Sequence, residues 1–262
     1  MEVSLKGKRA LIGGSSKGIG LAIAKQLAIS GASVCLMARN KSKMKEIIKN
    51  LPSDKGQSHH FLQVDFSDFN SFKDKIDIFF NENKIDILVN NTQGPPSGNS
   101  LSKSIKDYQS SFDLLFKNIV YTTSLAMSNM KSQGWGRIIN IASISVREPL
   151  NYLVLSNTIR AAVVTWGKSL SVDVASFGIT VNSILTGYFD TERIAQLNAA
   201  KAKSLNISES QVLSAMKEMV PVNRLGKPEE YGYLVAFLVS NKAAYINGIA
   251  IPIDGGLLKS IY

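Results

Sequence analysis

The first stretch able to do chemistry is a glycine-rich turn, GGSSKGIG, that directly follows the apolar run RALI. Gly14, Gly18 and Gly20 give it the spacing Gly-x-x-x-Gly-x-Gly at the head of a helical pattern. Glycine lets the backbone turn tightly and approach a ligand, and the free N–H groups at a helix N-terminus favour negative charge. The turn is therefore predicted to cradle a pyrophosphate. A βα turn that is merely tight, and binds nothing, is the alternative.

The elements that must position this turn follow from short, β-branched apolar runs along the chain. Stretches with helical spacing lie between these runs, such as GIGLAIAKQLAISG, where Gly31 suits a helix C-cap. Alternation of this kind predicts an α/β fold with a doubly wound parallel sheet (a Rossmann fold) in a single domain over residues 1–262. The seven predicted strands are RALIGG, ASVCLMA, HHFLQVD, IDILVNN, GRIINIA, GITVNSIL and INGIAIPID.

Composition excludes several other classes of protein. A chain of 262 residues that is 45% hydrophobic can bury one substantial core. No apolar run approaches the roughly 18 residues of a membrane helix, and the N-terminus has no secretory pattern, so we expect a cytoplasmic protein without membrane contact. The single cysteine, Cys35, lies in an apolar run and is expected to be a buried, inert thiol.

The formal charge of +10 favours anionic partners. Its lysines are scattered without a basic block or aromatic-basic stripe, so no nucleic-acid partner is expected. The adjacent His59 and His60 would point to opposite faces of a strand, and no other ligand residue is spaced to join them. No metal site is predicted.

Several ordered motifs together resemble the short-chain dehydrogenase/reductase family over essentially the whole chain. The glycine turn matches the family's T-G-x-x-x-G-I-G with Gly13 in the threonine place, and NNTQG stands where the family has NNAG. GRIINIAS ends at Ser143, and NSILTGYFDT resembles the family's N-x-x-x-P-G segment with Thr186 in the proline place. The resemblance implies a dinucleotide bound by Gly14, Ser15, Ser16, Lys17, Gly18, Ile19, Gly20, Arg39, Asp65, Phe66, Asn91, Arg160, Gly187 and Phe189.

Charge at the end of the second strand predicts which dinucleotide is preferred. Family members that use NAD place an acidic residue there for the ribose 2′-hydroxyl, whereas this chain has Ala38 followed by Arg39. Lys17 adds a second cation from the glycine turn, and no anion accompanies the two. This favours NADP(H) over NAD(H), because both cations stabilise a 2′-phosphate. Alternatively, Arg39 and Lys17 are solvated surface charges.

The catalytic positions implied by the resemblance depart from the family pattern. Asn118 and Ser143 stand in the asparagine and serine places, but Ser156 occupies the tyrosine place and Arg160 the lysine place. An aliphatic hydroxyl is a far weaker acid than a phenol, so Ser156 is a poor proton donor. Arg160 keeps its charge and can still bind ribose hydroxyls, but it does not easily relay a proton.

Tyr152 is one residue able to repair this deficit. Tyr152, Ser156 and Arg160 are spaced by four, so on a helix they would share one stripe, with Tyr152 about 5–6 Å toward the N-terminus. Its hydroxyl would then reach the substrate oxygen directly or through a water. The competing interpretation is that the ring is part of the core, with its hydroxyl bonded to the backbone.

Two functions from different classes remain. One is an NADP-dependent oxidoreductase acting on a small carbonyl or alcohol, 3-oxoacyl thioesters among them, with an unusual proton donor and a substrate lid over residues 188–225. The other is a nucleotide-binding module or inactive partner subunit. Alternatively, residues 188–225 form a plain pair of surface helices. The C-terminus GIAIPIDGGLLKSIY has too few charges for a free solvated tail, and the family resemblance implies a homotetramer or dimer, unless that strand only closes the monomer's own sheet.

Overall fold

A central parallel sheet organises the computed structural model, which describes residues 2–261; Met1 and Tyr262 lie outside it. Its seven strands are β1 (Arg9–Gly13), β2 (Ser33–Ala38), β3 (His60–Gln63), β4 (Ile87–Asn90), β5 (Gly136–Ile141), β6 (Ile179–Thr186) and β7 (Ala250–Ile253). They lie in the order β3-β2-β1-β4-β5-β6-β7, and every pairing is parallel. All seven strands expected from the sequence are confirmed.

Helices cover both faces of this sheet. Within the described residues they are α1 (Gly18–Ile29), α2 (Lys41–Lys49), α3 (Phe69–Glu82), α4 (Ile105–Phe112), α5 (Asn118–Ser132), α6 (Val154–Val174), α7 (Glu192–Leu205), α8 (Glu209–Met219) and α9 (Pro228–Leu238). A π-helical turn, Asp113–Lys117, joins α4 to α5. The Rossmann fold and the single domain expected from strand-helix alternation are therefore confirmed.

The hydrophobic core has two main layers, one on each face of the sheet. On one face α1 and α9 pack closely because Gly232 has no side chain: a Cβ there would lie 2.9 Å from the carbonyl oxygen of Ala22. The other layer includes Phe72, Met130 and the buried Cys35. Burial of this kind accounts for strands that are apolar on both sides.

The order of the strands fixes where a ligand can enter. β1 lies between β2 and β4, so the connections leave in opposite directions on either side of β1. A crevice opens at such a switch point, at the carboxyl ends of the strands.

In residues 2–261 no helix is long and apolar enough to cross a membrane. The same residues contain no group of three or more histidine, cysteine or acidic side chains placed to hold a metal ion.

Candidate active site

The glycine turn has the backbone geometry that a phosphate cradle requires. Gly14 and Gly18 adopt left-handed φ angles of 57° and 55°. A Cβ at Gly20 would lie 2.4 Å from the carbonyl oxygen of Gly14, and one at Gly14 would lie 2.8 Å from Nδ2 of Asn91. Side chains at these places would therefore fill the turn. The close approach of backbone to ligand depends on their absence.

The first turn of α1 is left open to an anion. Its N-cap residue, Lys17, is extended and makes no capping hydrogen bond, and no acidic residue lies in the first turn. The N-termini of α2 and α3, by contrast, are capped by Asn40 and Asp68. The N–H groups at the head of α1 and the positive end of its dipole thus face the crevice without a side-chain partner, as a dinucleotide pyrophosphate requires.

One large cavity of about 870 Å³ opens at the carboxyl ends of the strands and begins at this turn. It brings together residues far apart in the sequence, from the glycine turn to α6 and the segment after β6. Of the predicted site residues, those that line it are Gly14, Lys17, Gly18, Ile19, Gly20, Arg39, Asn91, Ser143, Tyr152, Ser156, Arg160, Gly187 and Phe189.

Other predicted site residues do not line the cavity: they are Ser15, Ser16, Asp65, Phe66 and Asn118. Ser15 is fully buried, where its hydroxyl donates to the carbonyl of Ile12 at 2.8 Å and accepts from the N–H of Met37 at 3.0 Å. It ties the glycine turn to the first two strands. This contact positions the backbone of the turn.

Asp65 and Asn118 also make hydrogen bonds within the protein. A hydrogen bond from the Ser67 hydroxyl lowers the pKa of Asp65, and the positive charge of Arg39 lowers it further. Asn118 is buried at the end of the π-helical turn, and its Nδ2 donates to the carbonyl oxygens of Phe66 at 2.7 Å and Leu114 at 3.2 Å. Asn118 thereby holds α5 against the end of β3.

Ser143 is placed and oriented by the residue two positions later. It follows β5 and caps the 3-10 turn Ile144–Val146. The N–H of Ser145 donates to Oγ of Ser143 at 3.1 Å, and the Ser145 hydroxyl donates to the same oxygen at 2.9 Å. With two donors already on its oxygen, the hydroxyl proton of Ser143 is free to point into the cavity. Ser145 was not predicted from the sequence, although Ser-x-Ser after a strand is a recognisable turn pattern.

Arg160 is held against the end of β5. Its Nη1 donates to the carbonyl oxygen of Ile141 at 2.5 Å, and its Nε donates to Oγ of Ser156 at 3.3 Å. Burial lowers the pKa of Arg160 to about 10, with the positive charge of Arg193 acting in the same direction. The guanidinium remains charged at neutral pH. Ser156 is buried and serves as its hydrogen-bond acceptor.

The predicted helical stripe is wrong for Tyr152. α6 begins at Val154, and Tyr152 lies in the preceding turn. The helix does not extend further back because the backbone there pairs with another loop: the N–H of Gly98 donates to the Tyr152 carbonyl at 2.7 Å, and the N–H of Val154 donates to the Gly98 carbonyl at 3.2 Å. The ring is not core either, since the residue is 40% exposed.

Two tyrosines that the sequence analysis missed lie close to these groups. Tyr188 lines the cavity, and burial raises its pKa, as does its interaction with the neighbouring phenol of Tyr152. Tyr231 on α9 is fully buried, and its hydroxyl lies 3.0 Å from Oγ1 of Thr186. Burial raises the pKa of Tyr231, whereas its bond to Thr186 and the positive charge of Arg160 oppose that rise. No sequence pattern connects α9 to the end of β6.

The charges near the glycine turn differ from the expectation of two cations without an anion. Glu192 at the start of α7 accepts a hydrogen bond from Nζ of Lys17 at 2.5 Å, and its carboxylate lies 4.0 Å from Nζ of Lys43. The expectation was wrong because α7 folds back onto the turn: a Cβ at Gly18 would lie 3.4 Å from Thr191. The contact could not be predicted from the sequence, because the two residues are 175 positions apart.

Comparisons with known proteins agree with this fold and cavity. The profile of a family described as enoyl-(acyl carrier protein) reductase matches residues 14–258. The 3-oxoacyl-[acyl-carrier-protein] reductase FabG of Haemophilus influenzae is 36% identical over 264 residues, covering 98% of this chain and 100% of the relative. The NADPH-dependent reductase BacG of Bacillus subtilis is 30% identical over 258 residues, covering 97% and 99%.

A solved structure shows the same similarity in three dimensions. L-Sorbose reductase from Gluconobacter frateurii, complexed with NADPH and L-sorbose, has a TM-score of 0.92 and 30% identity, with 100% of each chain covered. A doubly wound sheet, a glycine turn at its switch point and these similarities define a single class of protein. The chain belongs to the short-chain dehydrogenase/reductase family.

Proposed function

We propose that the protein is an NADP(H)-dependent oxidoreductase that interconverts a small carbonyl compound and its alcohol. The observation that carries the proposal is the continuity of one cavity from the open N-terminus of α1 to Ser143 and Arg160. Such a cavity joins a phosphate cradle to groups able to bind a polarised oxygen. The reductase names of the FabG and BacG relatives support the same activity.

The residues at the glycine turn fit a bound NADP(H). The turn and the head of α1 would hold the pyrophosphate, and Arg39, directly after β2, would hold the 2′-phosphate. Lys17 would join Arg39 after exchanging Glu192 for the phosphate. The cofactor supplies hydride chemistry when bound, and the protein supplies position and electrostatics.

Two side chains of the chain would act on the substrate oxygen. Ser143 donates its free hydroxyl proton as a hydrogen bond, which fixes the oxygen and stabilises negative charge that develops on it. Arg160 contributes a fixed positive charge near the end of β5. Its place there also suits hydrogen bonds to ribose hydroxyls.

Tyr152 is the proton donor in this proposal. It lines the cavity with Ser143 and Ser156, and its partial exposure gives a path for proton return from solvent. Tyr188 lies beside it, and the raised pKa of Tyr188 keeps that phenol protonated at neutral pH. A phenol is a far stronger acid than an aliphatic hydroxyl, which favours Tyr152 over Ser156 as donor.

The segment 188–225 forms a substrate lid in this proposal. α7 contributes several cavity-lining side chains, and α8 contributes Met216. We also propose a cytoplasmic homodimer or homotetramer. The exposed apolar side chains of Leu101, Ile105 and Tyr245 are consistent with further burial against another copy.

A catalytically impaired nucleotide-binding module, or partner subunit of an active relative, is the second candidate. The observation that favours it is the hydrogen bond from Arg160 to Ser156. These residues stand where the family has its tyrosine and lysine, and here they make structural contacts with each other and with the end of β5. An anaerobic NADPH titration, followed by ketones, sugars, quinones and 3-oxoacyl thioesters, separates the two. Oxidation of bound NADPH by any of these compounds supports the oxidoreductase, and tight binding without turnover supports the module.

A further inference from the structure

The guanidinium of Arg193 lies on the proposed lid and has no role in the site described above. Arg193 lies in the first turn of α7, and its Nη2 donates to the carbonyl oxygen of Pro95 at 3.0 Å. The rest of the group lies against Gly94, where a Cβ would be 3.3 Å from Nη2 and 3.5 Å from Nε. Arg193 therefore connects α7 to the loop after β4 at the wall of the cavity. Its remaining N–H donors are available to a ligand.

Positively charged side chains outnumber negatively charged ones in the lining of the cavity. The charged lining residues are Lys17, Arg39, Arg160, Glu192, Arg193 and Lys201. The only carboxylate among these lining residues, Glu192, is bonded to Lys17. Within residues 2–261 no carboxylate lies within 4 Å of Arg193 or Arg160. The two guanidinium groups therefore face the cavity without an anion, and the hydrogen-bond partners of each one are neutral.

The electrostatics indicate what would bind beside Arg193. Arg193 is an exposed residue whose guanidinium is partly desolvated, which lowers its pKa, and burial lowers the pKa of Arg160 with help from the charge of Arg193. An anion bound there would offset these costs by favouring the charged form of each guanidinium. A carboxylate suits best, because a guanidinium fork donates two parallel hydrogen bonds to its two oxygens.

We infer that Arg193 is a specificity-determining residue that binds a carboxylate of the substrate, so that the physiological substrate is an oxo acid or the corresponding hydroxy acid. This inference rests on the proposed function and narrows it. Arg193 holds the acid group while Ser143 holds the reacting oxygen. Sugars and neutral ketones then lack one contact that the acid makes.

The test uses pairs of substrates of the same shape, one with a negative charge and one without. Acetoacetate and 4-oxopentanoate are each compared with their amides, which keep the shape and lose the negative charge. We expect wild-type kcat/KM to favour each acid, and Arg193→Gln to lower it about 10- to 100-fold for acids while changing the amides less than about threefold. Lys203→Gln is the matched control, because it removes one exposed positive charge from α7 outside the cavity. Arg193→Lys should recover part of the preference.

A binding measurement keeps this inference separate from the proposed function. Calorimetry of 4-oxopentanoate and its amide with the NADP⁺-loaded protein needs no turnover. Acid binding that Arg193→Gln weakens at least tenfold supports the inference even where no substrate is reduced. Equal affinity for acid and amide overturns it, even where neutral ketones are turned over. Loss of NADPH affinity in Arg193→Gln with an unchanged acid-to-amide ratio also overturns it, since the guanidinium would then bind a cofactor phosphate.

Discussion

Nε of Arg160 donates a hydrogen bond to Oγ of Ser156 at 3.3 Å, across one turn of α6. The pair occupies the two positions at which the family resemblance places a tyrosine and a lysine. Arg160 is also bound to the carbonyl of Ile141, so its guanidinium is fixed at the end of β5. This contact keeps a positive charge at the site and leaves the acid function to other residues.

Replacing Ser143 should impair the chemical step. Ser143→Ala removes the free hydroxyl donor, and we expect kcat to fall about 100-fold, since a lost donor to a developing oxyanion costs that much. Ser145→Ala should lower kcat less than about tenfold, because it only relaxes the orientation of Ser143. The affinity for NADPH, measured by fluorescence, should not change in either variant. Equal activity of Ser143→Ala and wild type would refute the assignment.

Removing the proposed proton donor has a distinct signature. Tyr152→Phe should lower kcat about 100-fold or more, the usual contribution of a general acid, whereas Ser156→Ala should stay within about fivefold. Steady-state rates from pH 6 to 10 on one carbonyl substrate make the comparison. Tyr188→Phe serves as the control for loss of a neighbouring phenol. A large loss in Tyr188→Phe together with little in Tyr152→Phe would transfer the role to Tyr188.

The Lys17–Glu192 pair should compete with the cofactor's 2′-phosphate. Glu192→Gln frees Lys17, so NADPH should bind about two- to fivefold more tightly, the size expected for an exposed ion pair. NADH, which lacks that phosphate, should bind unchanged. Titrations at low and high salt check this, because screening should shrink the difference. An equal gain for NADH would show that Glu192 acts on the lid rather than on the phosphate site.

Cys35 should make the protein sensitive to alkali. Burial raises the pKa of its thiol from 9.0 to about 12, so above pH 9 the unfolded state loses a proton that the folded state keeps. The resulting contribution to stability is complete below pH 9 and is lost as the pH rises toward 12. Urea unfolding of wild type and Cys35→Ala across this window measures it. Rapid reaction of the native thiol with a disulfide reagent at pH 8 would contradict the burial.

Much of the fold could be predicted because its strands and helix ends follow from patterns that are local in the sequence. Each of the seven strands is a short apolar run, and Gly31, with φ of 98°, follows the end of α1 as expected of a C-cap glycine. The glycine turn was predictable for the same reason. Its function depends on residues adjacent in sequence.

The parts of the site that escaped prediction depend on contacts between distant segments. Glu192 meets Lys17, and Tyr231 meets Thr186, only because α7 and α9 fold back onto the ends of the strands. Tyr152 was assigned to a helix because its spacing from Ser156 suits one. The backbone pairing with Gly98 that prevents this comes from a loop more than fifty residues earlier.

The most direct test of the account is a calorimetric titration of the wild-type protein with NADPH and with NADH. A phosphate cradle at the head of α1, with Arg39 beyond the end of β2, predicts that NADPH binds one molecule per chain at least about tenfold more tightly than NADH. Affinity for NADH equal to or above that for NADPH, or binding of neither dinucleotide, would contradict it.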